Sequence, residues 1–190
     1  SGTFTIKDGS TSYLTLSQST GQINVLKTLR LENTTSSTTG VIFKGVDRFI
    51  HNYGSSNTFM GLNSGNFTMT GFYNTALGVA SLYSNSTGEN NTAVGMQSLS
   101  SNTTGYYNTA VGMESLSLNT TGFYNTALGV RSLFTNSTGV NNTATGSYSL
   151  SFNTTGSFNV AFGSFALYSN TISERNSAFG YQALTNSTGE

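Results

Sequence analysis

The chain has 190 residues, of which only 7% are Asp, Glu, Lys or Arg, against about a quarter in an ordinary soluble domain. Seven basic and seven acidic residues give a formal net charge of zero, which argues against nucleic-acid binding because phosphate recognition needs clustered Lys and Arg. No cysteine and a single histidine exclude Cys–His nucleophilic sites and structural zinc sites, and no run approaches the ~18 apolar residues of a membrane span.

Residues 1–50 are predicted to form short strands joined by turns. Apolar and polar residues alternate in "GTFTIKDG" and "TSYLTLS", and the Asp-Gly and Thr-Gly pairs between the apolar runs are typical of turns. A further strand is predicted in "GVIFKGVDRFIHNYG". We therefore predict a strand-rich segment over residues 1–50, serving as a cap or assembly module, and a repeat array over residues 51–190.

The array repeats every 17 residues. The unit reads N-T-A-x-G-x-x-S-L-x-x-N-T-T-G-x-x, and a constant period over this length indicates a solenoid. Its Gly and β-branched content opposes helix formation, so we predict an all-β fold, a β-solenoid (β-roll) of eight 17-residue repeats. The repeats begin at Asn57, Asn74, Asn91, Asn108, Asn125, Asn142, Asn159 and Asn176.

Two strands and two bends are predicted in each repeat. One strand runs through the aromatic pair and the next four residues, as in "YYNTAV", and the other through segments such as "ESLSL". The NTTG motif is predicted to be a turn in which Gly adopts positive φ without steric cost. The other bend falls at structural turn glycines: Gly61, Gly78, Gly95, Gly112, Gly129, Gly146, Gly163 and Gly180.

Stacking of the repeats would place equivalent residues about 4.8 Å apart, so that each column becomes a ladder of like residues. Like charges would repel in such a ladder, whereas Glu114 and Arg131, 17 residues apart, have opposite signs. The alanines that follow the Asn-Thr pair would allow close approach inside the coil or against a neighbouring chain. The predicted core columns are Leu77, Val94, Val111 and Leu128, and Leu82, Leu99, Leu116 and Leu133.

A narrow coil encloses little volume, and this chain has no disulfide to compensate. Association of several chains would supply the missing burial. We therefore predict a homo-oligomer.

Two sets of surface residues are candidates for function. The NTTG motifs contain sequons that are either glycan acceptors or simply repeated turn chemistry, and the second interpretation is favoured. The aromatic residues before the Asn-Thr pair would form a surface stripe that stacks on sugars or proteins, or contacts between chains. The candidate glycosylation sites are Asn85, Asn102, Asn119, Asn136 and Asn153, and the candidate aromatic stripe is Tyr73, Tyr107 and Tyr124.

No catalytic, cofactor or metal site is predicted. Acidic residues are too sparse for a carboxylate pair, one glycine per bend is not a phosphate loop, and His51 is assigned a structural or solvent-exposed role. The protein is therefore not expected to be an enzyme.

The units "NNTAVGMQSL" (90–99), "YNTALGVRSL" (124–133) and "RNSAFGYQAL" (175–184) resemble the head repeats of YadA-like trimeric autotransporter adhesins. Residues 49–78 are also similar to repeat regions of phage tail fibres and large bacterial surface proteins. The resemblance implies a parallel, threefold assembly of left-handed β-rolls that binds a surface.

These observations predict a non-enzymatic, extracellular protein of a cell or virion surface, the head or shaft of an adhesin or fibre. It would bind a host or matrix glycan or protein by multivalent presentation. The alternative is a filament subunit that polymerises end to end through its N-terminal strands.

Overall fold

A computed structural model describes residues 3–8, 11–17, 23–25, 35–36 and 41–186. The chain divides into two compact units, Ser1–Glu32 and Asn33–Glu190. The boundary predicted at residue 50 is therefore too late, because strands between residues 42 and 51 belong to the sheet of the repeats.

The first unit contains a three-stranded antiparallel sheet in the order β1-β2-β3. Its strands are β1 (Thr3–Asp8), β2 (Thr11–Ser17) and β3 (Ile23–Val25). They confirm the predicted strands in these ranges, whereas the Thr20-Gly21 turn lies outside the described residues.

The second unit is a solenoid with a single ten-stranded sheet, in which the strands follow one another in chain order. The first three strands pair antiparallel, and from β6 onward each strand pairs parallel with the next, 17 residues further along, as Thr75 does with Thr92. The predicted all-β solenoid is confirmed, and the described residues contain no helix. The strands are β4 (Ile42–Lys44), β5 (Asp47–His51), β6 (Thr58–Met60), β7 (Thr75–Leu77), β8 (Thr92–Val94), β9 (Thr109–Val111), β10 (Thr126–Leu128), β11 (Thr143–Thr145), β12 (Val160–Phe162) and β13 (Ser177–Phe179).

Each 17-residue turn of the solenoid, here called a rung, contains one strand rather than the two that were predicted. In the "ESLSL" segment Glu114 and Leu116 have φ of 56° and 49°, and the segment forms turns. Tyr107, with φ of 51°, lies before its strand rather than within it. Left-handed backbone costs a non-glycine residue about 1–2 kcal/mol. Hydrogen bonds between rungs oppose that cost, as when the Glu114 N–H donates to the Met96 carbonyl at 2.9 Å.

The interior consists of an alanine and a leucine column together with columns of buried serine and asparagine. Leu82, Leu99, Leu116 and Leu133 are fully buried, as predicted. The alanines point into the coil, and Ala110 is an example.

The other predicted core column is wrong for a single chain: Leu77 and Leu128 are each 46% exposed, and Val94 and Val111 are half-buried. Side chains alternate along a strand, so the residues on either side of an inward alanine point outward.

The first rung replaces the alanine by Phe59 and the leucine by Gly65. A Cβ on Gly65 would lie 2.8 Å from the Phe59 ring. The large and small residues have thus exchanged places, and the interior of this rung stays filled.

The glycines confirm one bend and correct the explanation of the other. The predicted turn glycines have φ between 116° and 139°, and a Cβ on Gly112 would lie 2.4 Å from the Gly129 carbonyl oxygen. The NTTG glycines do not adopt positive φ. They are needed for space, because a Cβ on Gly122 would lie 2.5 Å from the Gly139 carbonyl oxygen.

Candidate binding surfaces

Two buried ladders of asparagine connect the rungs. In the first, which starts each repeat, the Asn125 N–H donates to Asn108 Oδ1 at 3.0 Å and Asn125 Nδ2 donates to the Gly139 carbonyl at 2.8 Å. In the second, Asn119 Nδ2 donates to Asn102 Oδ1 at 2.8 Å and to the Gly122 carbonyl at 3.0 Å. These side chains satisfy one another and the bends, so their role is structural.

The second ladder consists of the candidate glycosylation sites. All five asparagines are fully buried, and in each of them Nδ2, the atom that would carry an N-linked glycan, donates hydrogen bonds. The prediction of glycosylation is wrong for the folded chain at these positions: Asn85, Asn102, Asn119, Asn136 and Asn153. Within the described part of the chain, Asn170 Oδ1 is the only buried side-chain polar atom without a partner, and Asn170 is the last described member of this ladder.

The outer side of the solenoid carries an apolar stripe made of two columns, one on each side of the predicted turn glycines. None of its residues is charged. At about 4.8 Å per rung, eight rungs give the stripe a length of roughly 34 Å. The column before the glycines is Met60, Leu77, Val94, Val111, Leu128, Thr145, Phe162 and Phe179, and the column after them is Leu62, Val79, Met96, Met113, Val130, Ser147, Ser164 and Tyr181.

The predicted aromatic stripe is exposed but not continuous. Tyr107 stacks on Tyr124, with ring centres 5.2 Å apart and planes 8° apart, and Tyr106 stacks on Phe123 at 4.7 Å. Tyr73 is also exposed, yet Asn90 occupies the same position on the rung between it and Tyr107. The aromatic surface is therefore a cluster of four rings on two rungs.

The one charged pair on adjacent rungs confirms the register expected from the sequence. Arg131 Nε contacts Glu114 Oε2, and this hydrogen bond raises the pKa of Arg131.

His51 is buried where β5 covers the first rung. Its Nε2 donates to the Ser64 carbonyl at 2.8 Å, its Nδ1 accepts from the Tyr53 N–H at 3.3 Å, and its ring packs against Phe59 and Phe67 at 4.8 Å. Burial lowers the pKa of His51 against the opposing effect of the Ser64 hydrogen bond, and the nearby Arg48 lowers it further. This is a structural environment for a neutral imidazole.

Among the described residues, no three His, Asp or Glu side chains are grouped as a metal site would require. No helix in the described ranges is long and apolar enough to cross a membrane. The chain matches no family model, no curated protein and no solved structure. Function must therefore be inferred from the surfaces described above.

Proposed function

We propose that this chain is a non-enzymatic, extracellular fibrous protein that forms a parallel homotrimer and serves as the head or shaft of a surface adhesin or viral fibre. The observation that carries the proposal is the uncharged apolar stripe along the outside of the solenoid. Apolar patches of this extent on a soluble protein mark interaction surfaces.

A second copy of the same chain is the partner that fits the stripe. A copy in the same orientation presents the same 17-residue period, so equivalent rungs meet at one height around a common rotation axis. The stripe has no charge that would meet its own like across that axis. The resemblance to YadA-like heads favours three copies.

A trimer would present every outer surface three times on a stiff rod. Because linked sites bind with increased avidity, weak individual contacts to a host or matrix ligand would suffice for attachment. The same resemblance supports a location on a cell or virion surface.

The proposal is tested by adding a charge to the stripe. Leu128→Lys replaces an exposed leucine of the stripe, and Thr121→Lys adds the same charge to the exposed NTTG turn of the preceding repeat. We expect three chains by sedimentation equilibrium for the wild type and for Thr121→Lys, and single chains with an unchanged circular dichroism spectrum for Leu128→Lys. A monomeric wild type, or an intact Leu128→Lys trimer, would contradict the proposal.

The second candidate is a filament that polymerises end to end. β13 has a strand partner on one side only among the described strands, and Phe179 within it is 70% exposed. An open strand edge can accept a strand from another molecule. Negative-stain images showing long polymers that persist in Leu128→Lys would favour this candidate.

A further inference from the structure

A groove of about 460 Å³ opens on the outside of the solenoid, next to the apolar stripe. This volume lies within the ~300–1,000 Å³ typical of small-molecule sites. Val79, at the edge of the groove, also belongs to the stripe. The other main lining residues are Asn63, Tyr83, Ser84, Gln97, Ser100 and Ser101.

The groove exists because small residues replace bulkier ones on the outside of neighbouring rungs. Ser84 and Ser101 occupy a column in which later rungs carry Leu118 and Phe152. Ala80, which also lines the groove, occupies a column that includes Arg131 and Tyr148 on later rungs. The buried leucine is the same on all of these rungs, so the interior does not require the small surface residues.

The lining combines one aromatic ring with uncharged polar groups. The Tyr83 side chain is 51% exposed. The side chains of Ser84, Gln97 and Ser101 make no hydrogen bond to any described residue, so they are available to a ligand. Hydroxyl and amide groups both donate and accept hydrogen bonds.

The nearest cation is engaged elsewhere. The Arg48 guanidinium lies 6.0 Å from the centre of the Tyr83 ring and donates to the backbone carbonyls of Asn63 and Gly65. No residue that lines the groove carries a charge. An anionic ligand would therefore lose its hydration without gaining a free cation.

We propose that this groove binds a neutral pyranose sugar. The apolar face of the sugar ring would lie against Tyr83, and the sugar hydroxyls would bond to the Gln97 amide and to the hydroxyls of Ser84 and Ser101. A purely apolar ligand would leave those polar groups unpaired, which weakens binding. The sugar satisfies both the aromatic ring and the polar groups.

The proposal rests on the proposed function, because it names the class of ligand that a multivalent surface protein would bind. Each trimer would carry three grooves, and weak binding to each would combine into firm attachment to a glycan-coated surface.

The test uses saturation-transfer NMR on the full chain with methyl β-D-galactopyranoside, methyl α-D-mannopyranoside and N-acetyl-D-glucosamine, and with N-acetylneuraminic acid as the anionic comparison. Ser101→Leu fills the groove with the residue found at Leu118, one rung further along, so the fold tolerates it. Ser169→Leu makes the same change in the same column far from the groove. Tyr83→Ala removes the aromatic ring.

We expect at least one neutral sugar to bind the wild type and Ser169→Leu, and to bind at least about tenfold more weakly, or ~1.4 kcal/mol, to Ser101→Leu and Tyr83→Ala. Binding of none of the three sugars, binding unchanged in Ser101→Leu, or binding of N-acetylneuraminic acid alone would overturn the proposal. If sugars fail to bind an intact trimer, only the ligand class is wrong. If a monomeric wild type binds sugar through the groove, only the proposed assembly is wrong.

Discussion

The inside and the outside of the solenoid follow different rules, although the same 17 residues supply both. Inside, asparagine, alanine and leucine recur with few exceptions, because each asparagine bonds to its equivalent on the next rung and each alanine packs against its own kind. Outside, one column holds Ser84, Leu118 and Phe152 in turn. Hydrogen bonding and close packing between rungs enforce the repetition, and the outer columns are left to define assembly and binding.

The largest effect is expected from breaking the interior ladder. Asn125→Ala removes the acceptor of the Asn142 N–H and the donor to the Gly139 carbonyl. With an unpaired buried group costing about 1–3 kcal/mol, we expect a loss of about 4 kcal/mol in the free energy of unfolding. Thr126→Ala, at the exposed next residue, is the control. Equal effects of the two substitutions in urea unfolding would contradict the difference between inside and outside.

A slightly smaller effect is expected from widening the spacing between rungs. The methyl group of Gly122→Ala would be forced against the Gly139 carbonyl and against Asn119 Oδ1, and overpacking of this kind costs about 1–3 kcal/mol. Thr121→Ala alters the neighbouring exposed side chain and should be nearly neutral. If Gly122→Ala unfolds at the wild-type urea concentration, stacking does not require glycine here.

A pH effect is expected where β5 covers the first rung. The pKa of His51 is lower in the folded chain than the ordinary value of about 6.5, so the unfolded chain binds the extra proton as the pH falls. Stability should therefore be retained above pH 7 and decrease as the pH falls through about 6.5. Part of the decrease in Tm between pH 7 and pH 5 should be absent from His51→Gln. An identical pH profile for the variant would show that another group is responsible.

The smallest effect is expected on the outside. Arg131 and Glu114 form a pair that solvent reaches, and exposed pairs contribute little. Glu114→Gln should leave Tm unchanged within error in thermal unfolding followed by circular dichroism. A large decrease would mean that surface charge does more for this fold than the interior ladders suggest.

The sequence predicts the rungs, the period and the leucine column because these depend on spacing alone. It does not predict the second turn region, since Glu114 and Leu116 adopt a backbone conformation that their residue types disfavour. Leu77 was assigned to the core because its hydrophobicity outweighed the alternation around Ala76.

The asparagine ladders were the main feature that the sequence interpretation missed. Asn119 was assigned to turn chemistry because the NTTG motif is also a good turn sequence. Asn170 carried the missing signal, since the asparagine persists on a rung where the motif reads "NTIS" instead. A residue retained where its turn is lost is required by something other than the turn.

The most direct test of the central claim, that the outer stripe joins copies of this chain in parallel, is disulfide cross-linking between single cysteines. The chain has no cysteine, so Val111→Cys places one in the stripe and Thr121→Cys places one in a turn outside it. Parallel assembly around the stripe brings Val111 of one copy near Val111 of the next. We predict covalent dimers of Val111→Cys on a non-reducing gel after mild oxidation, and monomers of Thr121→Cys. Cross-linking of Thr121→Cys alone, or of neither variant, would contradict the claim.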